Sequence, residues 1–170
     1  MILLLRFTLG ASFFLVPGLV NEVNDFLQKQ MIKQLQQTRQ CLNCNLPGVN
    51  LSGVNLQGVD LRSSDLQGAN LENTDLRYAN LQWTDLREAN LQGADLTGAT
   101  LSNSLLVDAN LSGANLEASN LERIDFRNAN LSRANLAKAL RSDEIQDSRS
   151  AILCETVLPN GIISSRNCQQ

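Results

Sequence analysis

The chain has 170 residues, enough for one domain, with 43% hydrophobic but only 4% aromatic residues. Its 14 basic and 17 acidic residues leave a formal net charge of −3, too even a balance for nucleic-acid binding through a basic patch. Histidine is absent, which excludes Ser-His and Cys-His nucleophile pairs and histidine-ligated metals, and no other catalytic motif takes their place.

Residues 1–20, MILLLRFTLGASFFLVPGLV, are apolar with Arg6 as the sole charge, and Phe7 to Val16 has the character of a signal-peptide core. The basic n-region is weak and no A-x-A site precedes Asn21. An uncleaved anchor, or an apolar segment packed on the domain, is the alternative. The stretch after Arg6 is short for a full membrane span. Export is the expectation.

A helix is predicted over residues 20–37. Val20, Val23, Leu27, Met31 and Leu35 fall on one stripe with Phe26 at its edge; Glu22, Lys29, Lys33 and Gln36 lie opposite. The stripe suits a cap on the element that follows, with partner recognition as the sharper alternative. Next comes Cys41-Leu42-Asn43-Cys44, open to three readings: a zinc half-site, a redox pair and a structural disulfide. Zinc would need Cys154 and Cys168, which lie beyond the repeat described next. A redox pair would need a βαβ context that is missing. A local disulfide, or two thiols, remains.

From Cys44 to Leu140 one five-residue unit repeats without a break: small residue, Asp or Asn, Leu, then two variable positions. Leu recurs at every fifth position from Leu46 to Leu136 except at Phe126, making nineteen units. Successive leucines five apart advance about 140° around a helix and share no face. In a flat strand an odd period would flip each new Leu to the opposite side. Every Leu stays inside if three residues run extended, small in, Asp/Asn out and Leu in, and two turn a corner. Gly fills the second corner position at Gly48, Gly53, Gly58, Gly68, Gly93, Gly98 and Gly113. The chain is then an all-β solenoid whose coils stack about 4.8 Å apart.

The unit, clean at Ala69-Asn70-Leu71, Ala89-Asn90-Leu91 and Ala114-Asn115-Leu116, resembles the A-(D/N)-L-x-x motif of pentapeptide-repeat proteins. The resemblance implies a right-handed quadrilateral β-helix with twenty residues per coil, hence almost five coils. The expected organisation is a signal-like segment 1–20, a helical cap 21–40, the β-helix 41–140 and a C-terminal cap 141–170.

With twenty residues per coil, Asn50, Asn70, Asn90, Asn110 and Asn130 stack as an amide ladder. Asp65, Asp85 and Asp125 stack as a column interrupted by Leu105. Leu105 and Val107 flank inward Leu106 and should both point out, with Trp83 at a corner one coil earlier and Tyr78 at the corner before it. Trp83, Leu105 and Val107 form a candidate interaction patch for self-association or a partner. The alternative is ordinary scattered surface apolar residues.

After Leu140 the register breaks, with Arg141 in the next Leu position. Ala151 to Thr156 reads as a strand, Pro159-Asn160-Gly161 as a turn and Ile162-Ile163 as a short returning strand leading to Cys168. A Cys154–Cys168 bridge would stabilise this hairpin by about 3 kcal/mol in the chain-entropy model. Both termini, Thr38 to Leu46 and Cys154 to Gly161 with Cys168, resemble those of many cyanobacterial pentapeptide-repeat proteins. Several of those carry export signals, so the resemblance implies the periplasm or thylakoid lumen. Two local disulfides, Cys41 with Cys44 and Cys154 with Cys168, fit such an oxidising compartment.

The leading expectation is a non-enzymatic structural or protein-interaction module. It has no cofactor or metal, an unknown protein partner, no nucleic acid, and a monomeric or weakly homo-oligomeric state. Membrane contact would come only through an uncleaved segment 1–20. The second reading, from the family resemblance, is a DNA mimic that modulates gyrase. Residues 41–140 carry eleven acidic and seven basic residues, a weak charge for an acidic rod, and Arg62, Arg77, Arg87, Arg123 and Arg127 interrupt it.

Overall fold

The computed structural model describes residues 17–141 and 150–168. Most of the signal-like segment, and residues 142–149 of the C-terminal cap, lie outside the described residues.

Helix α1 spans Pro17–Thr38, three residues earlier and one later than the predicted limits. Of its apolar stripe, Leu35 is buried in the core and Met31 packs against it, joined by Ile32 from outside the predicted stripe, while Phe26 at the edge is exposed. Lys33 and Gln36 are exposed on the helix surface.

The repeat region winds into coils of twenty residues. Each outward residue pairs in parallel with the one twenty positions on, as in Asn50 with Asn70, Asn70 with Asn90 and Asn90 with Asn110. Four five-residue sides therefore make one coil. Side one carries inward Leu46, Leu66, Leu86, Leu106 and Phe126; side two follows from Leu51, side three from Leu56 and side four from Leu61. The inward leucines from Leu51 to Leu136 and Phe126 fill the axis and are buried, with Ala69, Ala89, Ala109 and Ala129 between them on side two. Burying one Leu contributes about 1.5–3 kcal/mol. The small positions keep the coil narrow enough for leucines to meet across it.

Each corner is a β-turn. The Leu46 carbonyl accepts the Val49 N–H at 3.3 Å and the Leu56 carbonyl accepts the Val59 N–H at 3.0 Å. The third turn residue has positive φ, 66° at Gly98 and 60° at Trp83, which is the type II requirement and explains Pro47 before Gly48 in the first full coil. At Gly98 a second constraint acts: a Cβ there would stand 2.8 Å from the Tyr78 ring, one coil below. The buried Ser and Thr at small positions do not go unpaired. Thr74 and Thr84 donate to the Leu51 and Leu61 carbonyls of the previous coil, and Ser104 and Ser119 to the Leu101 and Leu116 carbonyls beside them.

The coil pattern extends beyond its legible limits at both ends. Gln40 pairs with Asp60 as an outward residue, so Cys41 takes a Leu position and Cys44 a small one. At the other end Ile152 stacks on Asn130 and Val157 on Asn135, an offset of two residues from the regular spacing. Ala151, Leu153 and Thr156 turn inward and are buried. Residues 151–160 thus form two further sides, with Ile and Val in the usual Asp/Asn place. The same segment contains β1 (Leu153–Val157), which pairs antiparallel with β2 (Ile163–Arg166) across an irregularity between Cys154 and Thr156. The predicted hairpin is present and sits as the last rung of the tube.

Candidate functional site

The Asp/Asn of each unit does more than face water. The Asn50 Oδ1 accepts the Ser52 N–H at 3.1 Å, and the Asp85 Oδ1 accepts the Arg87 N–H at 3.1 Å. This side-chain turn closes every corner from Ser52 to Ala137 except two. It explains the repeat's choice of residue: a short side chain with an oxygen that reaches the backbone two residues on. The exceptions are consecutive. Ser102 follows Thr100 and Val107 follows Leu105, and neither N–H donates such a bond. The Ser102 hydroxyl, only 5% exposed, also has no hydrogen-bond partner.

The irregular corners lie beside the predicted patch. Leu105 is 40% exposed and stacks between Asp85 and Asp125 on side one. Val107 is half-buried at the following corner. Trp83, 62% exposed, precedes Asp85 by two residues at the corner between sides four and one. Stacking therefore brings these three residues to one area. Tyr78 is equally exposed but stands at the opposite edge of side four, its ring over Gly98. Sequence reasoning named Trp83, Leu105 and Val107 but missed the orphaned Ser102; the signal available was Thr100, where the repeat calls for Asp or Asn.

Around the patch the charges pair locally. Arg87 donates from Nε to the Asp85 Oδ1 at 2.9 Å, and Arg127 to the Asp125 Oδ1 at 3.0 Å; Asp60 with Arg62 and Asp75 with Arg77 repeat the arrangement. These charge-assisted bonds hold the four Asp carboxyls below the usual carboxylate range, against the opposing pull of partial burial. They also neutralise much of the acidic columns. On side two Asn110 donates to Asn90 at 3.2 Å and Asn90 to Asn70 at 3.4 Å, so the predicted ladder is hydrogen-bonded along its middle.

Further up side two a groove of about 630 Å³ opens against the C-terminal hairpin, lined by Gln92, Ser112, Ser132, Arg133 and Glu155 among others. Arg133 and Glu155 neutralise each other at 2.7 Å, so the groove presents hydroxyls and amides rather than an acid–base pair. Among the described residues no group of Cys, Asp and Glu is placed to hold a metal ion, and no helix is long and apolar enough to cross a membrane. The sulfurs of Cys41 and Cys44, and of Cys154 and Cys168, lie at disulfide distance, with Cα separations of 5.6 and 4.7 Å. The first pair spans the opening turn, whose Cys41 carbonyl and Cys44 N–H are bridged by the Ser64 hydroxyl.

The profile of the pentapeptide-repeat family matches eight copies, over residues 43–70, 64–103 and 109–139, more than half of the chain. The chain is a pentapeptide-repeat protein. Members of this family fold as right-handed quadrilateral β-helices, which agrees with the four-sided coil seen here. Among solved structures, a pentapeptide-repeat protein from the Arabidopsis thaliana thylakoid lumen is 27% identical, covers 75% of this chain and 85% of its own, and superposes with a TM-score of 0.61. Rfr23, a pentapeptide-repeat protein of the cyanobacterium Cyanothece 51142, is 33% identical over 76% of this chain and 90% of its own, with a TM-score of 0.39. QnrB1, a plasmid-mediated fluoroquinolone resistance protein, is 15% identical over 70% of this chain and 74% of its own, with a TM-score of 0.38. No curated protein matches the chain.

Proposed function

We propose that this pentapeptide-repeat protein is a non-enzymatic binding module of an exported, oxidising compartment, the periplasm or thylakoid lumen, and that it engages its partner through Trp83, Leu105 and Val107. The observation that carries the reading is local. At position 105 the repeat needs an oxygen to close the next turn, and the chain has an exposed Leu instead. At position 83, one of many corners where a residue other than Gly holds the positive φ, the chain places an exposed Trp beside that side. The departure at Leu105 costs about 1 kcal/mol of stability, and with Leu105 40% exposed burial does not offset it. Departures from local rule without a folding benefit mark surfaces kept for contact.

The compartment reading draws on the lumenal relative, the signal-like segment and the two local cysteine pairs. In this reading α1 covers the first coil, sealing its leucines with Leu35 and Met31. Affinity capture from the native compartment tests the function, with wild type beside a Leu105→Asn, Val107→Ser variant. The same partner recovered equally by both proteins overturns the patch. Mass spectrometry of the exported protein tests the compartment, with four free thiols as the contrary result.

A further inference from the structure

The outward groups of side one form two columns. One holds Asp65, Asp85, Leu105 and Asp125; the other holds Gln67, Arg87, Val107 and Arg127. From the charge pattern we infer that this face binds a second copy of the same chain, side by side, with the tubes parallel and the two-fold axis running along them. The inference rests on the patch being a contact surface and names its occupant.

A two-fold axis along the tubes exchanges left and right on the contact face but keeps height. The first column of one copy then faces the second column of the other, coil for coil. Asp85 meets Arg87 of the second copy, Asp125 meets Arg127, and Leu105 meets Val107 between them. Each Asp–Arg pair already formed within a chain, 2.9 Å at Asp85 and 3.0 Å at Asp125, becomes half of a four-membered charge network. At the edge Trp83 comes against the corner of Arg87 and Glu88, where a guanidinium and an exposed indole attract. No like charges oppose each other in this arrangement.

The other two-fold packing, with antiparallel tubes centred on Leu105, keeps each column opposite itself. It sets Asp85 against Asp125 and Arg87 against Arg127, and is repelled at both heights. The charge pattern therefore selects the parallel pair as well as the face. Five coils at about 4.8 Å, each presenting three extended residues about 10 Å wide, make a face of about 240 Å², well below the roughly 800 Å² per partner of a standard interface. The dimer is accordingly weak and concentration-dependent.

Sedimentation equilibrium of the full oxidised chain, in a series reaching millimolar concentration, tests this. The expected result is a reversible monomer–dimer equilibrium. Leu105→Asn should weaken it by about tenfold or more while raising thermal stability, because Asn restores an acceptor for the Val107 N–H; higher stability shows that the variant folds. Arg87→Glu separates the two packings. It weakens a parallel dimer by facing Asp85 of the second copy, and strengthens an antiparallel one by facing Arg127. Wild type that stays monomeric throughout, a Leu105→Asn dimer as tight as wild type, or tightening by Arg87→Glu each overturns the inference. A monomeric wild type whose captured partner is lost in Leu105→Asn would overturn the dimer and leave the binding module standing. Capture of that partner unaffected by Leu105→Asn would remove both.

Discussion

Sides one and two are built from the same unit and close on the same leucine axis, and they differ most in what they show to water. Side two keeps Asn at every coil from Asn50 to Asn130, and each amide closes its own turn while the middle ones also bond to a neighbour. Side one keeps Asp at Asp65, Asp85 and Asp125 but gives up the fourth coil to Leu105. The backbone is nevertheless alike on both sides: Leu86 and Leu91 donate to the carbonyls of Leu105 and Asn110 at 2.8 and 2.7 Å. The tube is therefore held by its axis and its backbone ladder, and the outward position is free to vary at modest cost. That freedom lets a repeat protein carry a contact surface without altering its fold.

The comparison can be broken most severely from inside. Leu91→Ala on side two should cost about 2–5 kcal/mol, because the stacked coils cannot close over the cavity; chemical denaturation reads this directly, and a loss below 1 kcal/mol would deny the axis its role. Transplanting the side-one irregularity comes next. Asn90→Leu removes the acceptor of the Gln92 N–H and two ladder bonds, an expected loss of about 1–2 kcal/mol by the same measurement. The reverse change, Leu105→Asn, should add about 0.5–1.5 kcal/mol, and a destabilised variant would mean that Leu105 serves the fold. Trp83→Gly relieves a residue held at φ 60° and should add about 0.5–1 kcal/mol, seen as a raised melting temperature.

The smallest effect is in acid. Asp60, Asp75, Asp85 and Asp125 have folded pKa values below the ordinary 3.8, through their hydrogen bonds to arginine. A depressed carboxylate contributes its stability above its unfolded pKa and loses it as pH falls through the folded one. Stability should therefore be level above about pH 4 and fall below it. Arg87→Ala should make the fall shallower, measured by the urea midpoint against pH, whereas an unchanged slope would show the Asp85 pairing to be without thermodynamic effect.

Much of this was legible because a period of five leaves few solutions. Leu46 to Leu136 announce the axis, and the glycines at Gly48 to Gly113 announce the corners. Leu105 was also legible, as a departure from a repeat is visible once the repeat is known. What escaped was whatever broke the register while keeping the geometry. Residues 151–160 look like an ordinary strand and turn, because Ile152 and Val157 replace the Asp/Asn marker and the spacing slips by two residues. Cys41 hides a Leu position at the other end. The missing turn bonds at Ser102 and Val107 were hidden because the role of the outward oxygen emerges only when the corner is seen closed.

The spacing of residues alone determined that leucines line an axis and that small residues and turns must alternate with them, since side-chain volume and backbone geometry are properties of the local chain. Twenty residues per coil, by contrast, is a property of rungs meeting across space. So are the two disguised sides near Ile152, the hydroxyl of Ser64 entering the first turn, and the pairing of one column of side one with the next. Hydrogen bonds between residues twenty apart decide these, and no local pattern records which rung a residue will rest upon.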